Sequence, residues 1–188
     1  MKIIKIIIPC LLLSGCFGTS QQSKFYTQSA VATETLSTDY TAFVGVSRIQ
    51  LPKYVDRPQI VTQLKDSVQI NMSEYNRWVE SPSLLATRVL IENLSTHLPA
   101  AQIKINQFKG EGFDRTVVVE VVKINAVLDE KAELAAWYTI KDKSGKTLSH
   151  HKFTGTVQIG KTYDDLVKGY GQLLAQLSQQ IASVLIQK

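Results

Sequence analysis

The sequence predicts an α+β fold in which a mixed, largely antiparallel β-sheet is packed by two long helices in a layered sandwich, as a single domain. Runs of β-branched and aromatic residues, typical of strands, occur both before and after a long helical pattern. A second helical pattern closes the chain. With 188 residues, the chain is long enough for one domain with a sizeable core.

The segment before the first helix predicts four short strands. Residues 25–27 and 41–49 are rich in β-branched and aromatic residues, which favour extended backbone. Residues 59–71 predict a hairpin whose turn is Lys65-Asp66.

The first helix is predicted to begin at Ser81-Pro82. Serine can cap a helix, and proline suits the first helical position, where no amide donor is missed. From Leu84 to Leu98, apolar residues occur on most sides of the helix. A helix that is apolar nearly all round is expected to pack on more than one side.

The richest β region follows this helix. After a short strand at 102–105, the sequence predicts three consecutive antiparallel strands at 117–122, 134–140 and 147–157. Residues 143–146 supply the turn between the last two. The first of the three lacks regular alternation, so it is either buried on both faces or bulged.

The last helix has the most regular pattern. Thr162 and Asp165 form a capping-box pattern at its start. Gly169 and Gly171 lie early in it and favour either close packing of the backbone or a later helix start. One continuous apolar stripe recurs at three- and four-residue steps: Leu166, Tyr170, Leu173, Leu177, Ile181 and Val184.

The N-terminus is typical of a secretory signal. Lys2 and Lys5 give it a positive start, and residues 3–13 form a short apolar run. That run is too short to cross a bilayer as a helix, which needs roughly 20 apolar residues. We therefore exclude it from the fold.

The end of this signal, LSGC at residues 13–16, resembles the lipobox of bacterial lipoproteins. In that class, a diacylglycerol alkylates the cysteine thiol, the signal is cut before the cysteine, and the new amine is acylated. The alternative is an ordinary signal with an incidental cysteine. The sequence thus predicts a signal peptide at 1–15, a lipidated Cys16 with a flexible tether at 16–23, and one domain at 24–188.

Cysteine content and charge limit the classes of function. Cys10 lies in the segment to be removed, so the mature chain keeps only Cys16 and no internal disulfide can form. Without Lys2 and Lys5, 19 basic residues stand against 16 acidic ones, a net charge of +3. So small an excess, without a basic cluster, argues against nucleic acid as a partner.

The sequence offers little catalytic chemistry. His150 and His151 are adjacent in a predicted strand and should point to opposite faces, so they cannot easily share a metal. His97 is predicted at a helix end, where a histidine interacts favourably with the helix dipole. No HExxH, CxxC, GxSxG or Walker-type loop occurs. We expect a protein that is not an enzyme and that needs no cofactor or metal.

One segment favours a binding role. In LPKYVDRPQIV at 51–61, two prolines bracket an aromatic residue and an Asp-Arg pair, and EYNRWVE follows at 74–80. A structural corner that covers the edge of the core explains these residues about as well as a docking surface does. The candidate partner-docking residues are Tyr54, Asp56, Arg57, Arg77 and Trp78.

Three stretches, behind the lipobox, carry a resemblance to a known family. They are VGVSRIQLPKYVDRPQIVTQ from Val44, EYNRWVESPSLLATRVLIENLS from Glu74, and YDDLVKGYGQLLAQLSQQIA from Tyr163. Together they resemble the ABC-type transport auxiliary lipoproteins, in the same order and relative positions. One departure is that Gly169 and Gly171 fall where ordinary helix formers are expected.

The resemblance implies a role in moving lipids between the two membranes of a diderm envelope. Such lipoproteins work beside MCE-domain (mammalian cell entry) proteins and associated inner-membrane transporter subunits, and hold or receive the far end of a lipid conduit. Phe17 follows the cysteine, and no aspartate stands there to signal inner-membrane retention. We therefore expect an outer-membrane anchor with the domain facing the periplasm.

Two other classes stay open. A lipid-binding periplasmic carrier predicts unfilled volume between the final helix and the sheet. A structural envelope lipoprotein bound to peptidoglycan predicts a polar site for sugar or peptide. A homo-oligomer also stays open.

Overall fold

The fold is described by a computed structural model that covers residues 21–107 and 112–187. The predicted lipidation site, Cys16, lies outside these described residues. The elements run along the chain in the order β1 (Lys24–Tyr26), β2 (Phe43–Ser47), β3 (Gln59–Gln63), β4 (Ile70–Trp78), α1 (Pro82–His97), β5 (Gln102–Asn106), β6 (Arg115–Val127), β7 (Lys131–Asp142), β8 (Thr147–Gln158) and α2 (Tyr163–Ile186).

The strands form two mixed sheets, and the predicted α+β class is confirmed. The large sheet has the order β5-β2-β6-β7-β8, in which β6, β7 and β8 are antiparallel neighbours as predicted. Within it, β2 runs parallel to both β5 and β6. The small sheet has the order β1-β4-β3, with β1 parallel to β4 and β3 antiparallel to it. Both helices of the described chain pack on this framework.

The small sheet contains the main difference from the sequence prediction. The hairpin is present, but its second strand continues well past Asn71 and ends at Trp78. Most residues of β4 are exposed, and only Ser73 and Trp78 are buried, so the sequence has no inward-facing apolar pattern to mark the strand. It pairs with β3 at residues 70–72 and 77, across a shift of register, and with β1 at residues 76–78.

The irregular alternation noted in the strand at 117–122, now part of β6, comes from a bulge. The pairing of β6 with β7 shifts register between Val121 and Lys123, and the intervening Val122 is left exposed. Before the shift, Val117, Val119 and Val121 face the core. A single extra residue therefore explains why the pattern changes along the strand.

Helix α2 supplies the centre of the core. Five positions of its predicted stripe are buried and Val184 is half-buried. The capping box is present: the Thr162 hydroxyl accepts from the Asp165 amide at 3.1 Å, and the Asp165 carboxylate accepts from the Thr162 amide at 3.1 Å. At Gly169, a Cβ atom would come within 2.5 Å of Cγ2 of Ile159, so close packing explains that glycine. A later helix start is wrong, because α2 begins at Tyr163.

Helix α1 contacts α2 on one side and strands β5 and β2 of the large sheet on another, as its all-round apolar character predicts. At its end, His97 is buried rather than solvated: Nδ1 lies 2.7 Å from the carbonyl oxygen of Glu34, and Nε2 lies 3.2 Å from the hydroxyl of Ser178. That histidine joins both helices to the loop before β2. Neither helix in the described part of the chain is long and apolar enough to span a bilayer.

Candidate docking site

The predicted binding segment, residues 51–59, connects the large sheet to the small sheet; we call it the corner. Its backbone is folded on itself, because the amides of Val55 and Asp56 both donate to the carbonyl of Pro52, at 3.0 and 3.2 Å. At its far end, the carbonyl of Pro58 accepts from the amide of Trp78 at 2.7 Å. With φ fixed at two prolines as well, the corner has little backbone freedom to lose on binding.

Asp56 ties the corner to the start of α1. Its carboxylate accepts from the Ser83 amide at 3.1 Å, from the Ser83 hydroxyl at 3.1 Å and from the Ser81 hydroxyl at 2.9 Å. A carboxylate in this position satisfies an unpaired amide of the first turn and complements the helix dipole. The predicted start is confirmed, because Ser81 is the N-cap residue and α1 begins at Pro82. However, the Ser81 side chain makes no capping hydrogen bond, and the carboxylate of Asp56 takes that role.

Arg48 completes this network and was not among the predicted site residues. Its Nε donates to the Ser83 hydroxyl at 2.8 Å, and its Nη2 donates to the Ser81 hydroxyl at 2.6 Å. The two serines thus lie between a guanidinium and the carboxylate of Asp56. Nothing local in the sequence marks Arg48, since its partners lie more than thirty residues further along the chain.

Tyr54 is exposed at the corner, and the half-buried Arg57 lies on the same segment. Tyr54 is 41% exposed, and its hydroxyl donates to the carbonyl of Ile124 on β6 at 3.2 Å. Nη1 of Arg57 lies 2.6 Å from Sδ of Met72 on β4, while its Nε is buried without a partner among the described residues. Tyr54 is therefore anchored with its ring partly exposed, whereas Arg57 is held half-buried against β4.

The other two predicted docking residues, Arg77 and Trp78, lie on β4. Arg77 is half-buried and faces Gln59 across the β3–β4 ladder. Trp78 is buried, and the indole lies beneath the corner rather than on its surface. The structure therefore brings Tyr54, Asp56 and Arg57 together on one segment and places Trp78 in the supporting layer.

A small apolar cavity lies under the corner, between the small sheet and both helices. Its volume is about 50 Å³, and its lining includes Leu51, Val55, Trp78, Leu85 and Tyr170. Burial raises the pKa of the Tyr170 phenol, which therefore stays neutral. Sites for drug-sized ligands usually measure about 300–1,000 Å³, so this cavity can take a side chain or a few waters but not a lipid.

The remaining histidines lie as predicted, on opposite faces of β8. His150 stacks on Trp137 with ring centroids 4.8 Å apart, and His151 stacks on Tyr138 at 5.3 Å. Among the described residues, no group of three or more His, Cys, Asp or Glu side chains could hold a metal ion. What the site offers is a rigid surface of aromatic and charged groups over an apolar layer.

Known proteins give one match to a family and several to solved structures. The family model of the ABC-type transport auxiliary lipoprotein component matches residues 26–182. A crystal structure of an uncharacterized protein is 22% identical with a TM-score of 0.69, and the match covers 85% of this chain and 99% of that one. The crystal structure of protein XCC0632 from Xanthomonas campestris is 12% identical with a TM-score of 0.71, and the match covers 87% of this chain and 95% of that one.

At these identities the two solved structures are evidence for the fold alone. None of the curated proteins compared with the chain matches its sequence.

Proposed function

Since the chain belongs to the family of ABC-type transport auxiliary lipoproteins, we propose that it is the outer-membrane subunit of an MCE-type intermembrane lipid transport system. Family membership makes it a membrane-anchored, periplasm-facing component that works with transporter subunits. In the proposed role it docks or completes the far end of the conduit built by an MCE-domain protein. Its own contribution is a binding surface rather than a reaction.

The corner is the observation that carries this proposal. Tyrosine, tryptophan and arginine are the residues most enriched in binding hot spots, and the corner carries an exposed Tyr54 and a half-buried Arg57. The hydrogen bonds that the Asp56 carboxylate accepts from the start of α1 hold the segment in one geometry before any partner arrives. A preorganised surface loses less conformational entropy on docking, which favours a specific partner.

The anchor at Cys16 is the second part of the proposal. The described domain is built from residues 24 onward and has its own core, so it does not need the acyl chains in order to fold. Cys16→Ala should therefore leave a folded domain that no longer incorporates palmitate and no longer remains with the membrane fraction. Continued labelling of the variant would refute the lipobox.

A lipid-binding carrier is a second candidate, favoured by an open groove beside β1. The groove has a volume of about 720 Å³ and lies between the β1 region and the first half of α2, with Phe25, Val31 and Val167 in its lining. Its volume is within the range of ligand sites, although it is open to solvent along its length. A carrier would retain lipid in purified protein without any partner.

The experiment that separates these functions is a pull-down from solubilised envelope, with proteins and lipids identified together. The docking role predicts that the MCE-domain protein is captured by the wild-type chain, and lost by Tyr54→Ala or Arg57→Ala at an unchanged melting temperature. The carrier predicts bound lipid without that protein. The native mass of the captured complex, measured in the same sample, shows how many copies of the chain it contains and so whether the chain forms a homo-oligomer.

The chain offers a matched control in Tyr75→Ala. Tyr75 has the same exposed fraction as Tyr54, 41%, but lies on β4 and not in the corner. The Tyr75→Ala variant should still capture the MCE-domain protein. If both corner variants lose stability together with capture, or if neither loses capture, the corner is scaffold and the docking proposal fails.

A further inference from the structure

The β3–β4 hairpin ends in an apolar tip, which we define as residues 64–70. Val68 is 96% exposed, and Leu64 and Ile70 are each exposed by more than two-fifths. The turn is well formed, because the Leu64 amide donates to the Gln69 carbonyl at 3.0 Å and Asp66 takes a left-handed φ of 50°. A group of exposed apolar side chains on a defined turn indicates a surface that contacts a protein or a membrane.

The chain leaves the domain toward this tip. Strand β1 runs parallel to β4 with Lys24 beside Asn76 and Tyr26 beside Trp78, so following β1 backwards leads in the direction of Ile70. Strand β4 is bulged, and its residues Arg77 and Ile70 pair with Gln59 and Gln63 of β3, which lie about 13 Å apart. Residues 16–23, fully extended, span at most about 28 Å. The tip therefore lies within the reach and in the direction of the segment that ends at Cys16.

Two other elements meet at this same end of the molecule. Lys65 in the tip forms an ion pair with Glu130, at the turn between β6 and β7, at 2.7 Å. The Asp129 amide, in that turn, donates to the Gly160 carbonyl just before α2, at 2.9 Å. The tip, the β6–β7 turn and the start of α2 thus form one end of the domain, which we call the anchor end.

From this geometry we propose that the hairpin tip rests in the interface of the bilayer that holds the Cys16 anchor, with Val68 among the lipid headgroups. The inference rests on the lipidation of Cys16, which belongs to the proposed function. A tether of this length keeps the tip close to the bilayer, so its effective concentration there is high and weak insertion is enough. The side chains of Leu64, Val68 and Ile70 make the contact with the bilayer.

A protein partner fits the tip less well than a bilayer does. A specific protein interface covers roughly 800 Å² on each side, more than three aliphatic side chains can supply. An interfacial lipid contact needs no shape complementarity, only apolar groups placed at the right depth. Membrane contact also orients the domain. The corner leads into β3 at the end away from the tip, about 13 Å along that strand, and is then directed into the periplasm.

The test uses the full-length, lipidated chain in vesicles of phosphatidylethanolamine and phosphatidylglycerol. In the mature protein the sulfur of Cys16 is alkylated, so Val68→Cys introduces a single free thiol for an environment-sensitive fluorophore. Val79→Cys is the matched control, because Val79 is also an exposed valine, at 53%, and follows the other end of β4. Quenching is measured with a lipid-borne nitroxide and with aqueous iodide.

The expected result is that the label at position 68 shifts to the blue, is quenched by the nitroxide lipid and loses its quenching by iodide. The label at position 79 should do the reverse. Equal quenching by iodide at both positions, in protein that floats with the vesicles, overturns the inference while leaving the anchor intact. Protection at position 68 that requires a higher protein density, or the MCE-domain protein, assigns the tip to a protein contact and also overturns it.

The two proposals fail in distinguishable ways. If the labelled chain does not float with the vesicles, the anchor is absent and the membrane contact of the tip fails with it. Docking at the corner is read separately, by capture in detergent, where no bilayer is present.

Discussion

The two ends of the small sheet are built on opposite principles. At the corner, a carboxylate, two serine hydroxyls and the Arg48 guanidinium hold a segment with two prolines above the buried Trp78. At the hairpin tip, aliphatic side chains stand in solvent, and Lys65 makes an exposed ion pair with Glu130. A segment held in one geometry by polar contacts is suited to recognise one protein surface. Exposed apolar side chains without such contacts are suited to a fluid bilayer. One sheet can thus present a different kind of surface at each end.

The largest expected effect lies in the core that both ends share. Leu177 is fully buried in the middle of α2, so Leu177→Ala should lower the free energy of unfolding by about 2–5 kcal/mol, as the loss of a large core side chain. Chemical denaturation measures this. The control is Ile186→Ala, near the end of the same helix, where the side chain is 40% exposed and the loss should be much smaller. Equal losses for the two variants would mean that the stripe of α2 is not the core.

A smaller effect is expected at the corner. Asp56→Ala removes the carboxylate that accepts from the Ser83 amide, so it should cost about 0.5–2 kcal/mol, as the loss of a helix cap does. Asp56→Asn keeps a side-chain oxygen for that amide and should recover part of the stability. The measurement is again the free energy of unfolding. A stability of Asp56→Ala equal to wild type would show that the corner is not held by this contact.

The contribution of the anchor end to the stability of the fold should depend on pH. The Thr162 hydroxyl, and then its backbone amide, hold the pKa of the Asp165 carboxyl below its ordinary value. A carboxyl with a lowered pKa in the folded state stabilises the fold above its unfolded pKa, and this contribution is lost as pH falls through the folded pKa. Asp165→Asn should therefore flatten the acid side of a plot of denaturation midpoint against pH.

The capping box itself provides the control for that measurement. In a Thr162→Ala background the hydroxyl is gone, so Asp165→Asn should change the pH dependence less than it does in the wild-type chain. An unchanged effect in both backgrounds would assign the low pKa to a different cause.

The smallest effect on stability is expected at the tip. Val68 is almost fully exposed, so Val68→Ser should change the free energy of unfolding by less than about 0.5 kcal/mol. The matched change Val61→Ser, at a buried valine in β3 of the same hairpin, should cost clearly more. A large loss from Val68→Ser would mean that the tip supports the fold, and the contrast between the two ends would disappear.

Elements fixed by local sequence were predictable. The capping box and the stripe of α2, and the three consecutive strands of the large sheet, depend on neighbours a few residues apart or on adjacent strands. The same holds for the turn of the corner: two prolines around Tyr54 and Arg57 indicated a stiff connection, and the backbone hydrogen bonds of Val55, Asp56 and Arg57 are made within it. Such patterns are complete within one short window of sequence.

Contacts between distant parts of the chain were not predictable. Strand β1 pairs with β4 about fifty residues away, and no local feature selects that partner. Asp56 was proposed for docking because it stands beside Arg57, whereas its hydrogen bonds go to the first turn of α1. Arg48, in the same network, had no signal at all. In each case the tertiary arrangement determines the partner. Periodicity and turn chemistry describe only neighbouring residues, so they cannot predict it.

The most direct test of the contrast between the two ends is photo-crosslinking in the intact envelope. A photoreactive residue is placed at position 54 in one full-length chain and at position 68 in another, and the adducts are identified by mass. The account predicts an MCE-domain protein joined at position 54 and phospholipid joined at position 68. Phospholipid at 54 with protein at 68, or the same adduct at both positions, would contradict it.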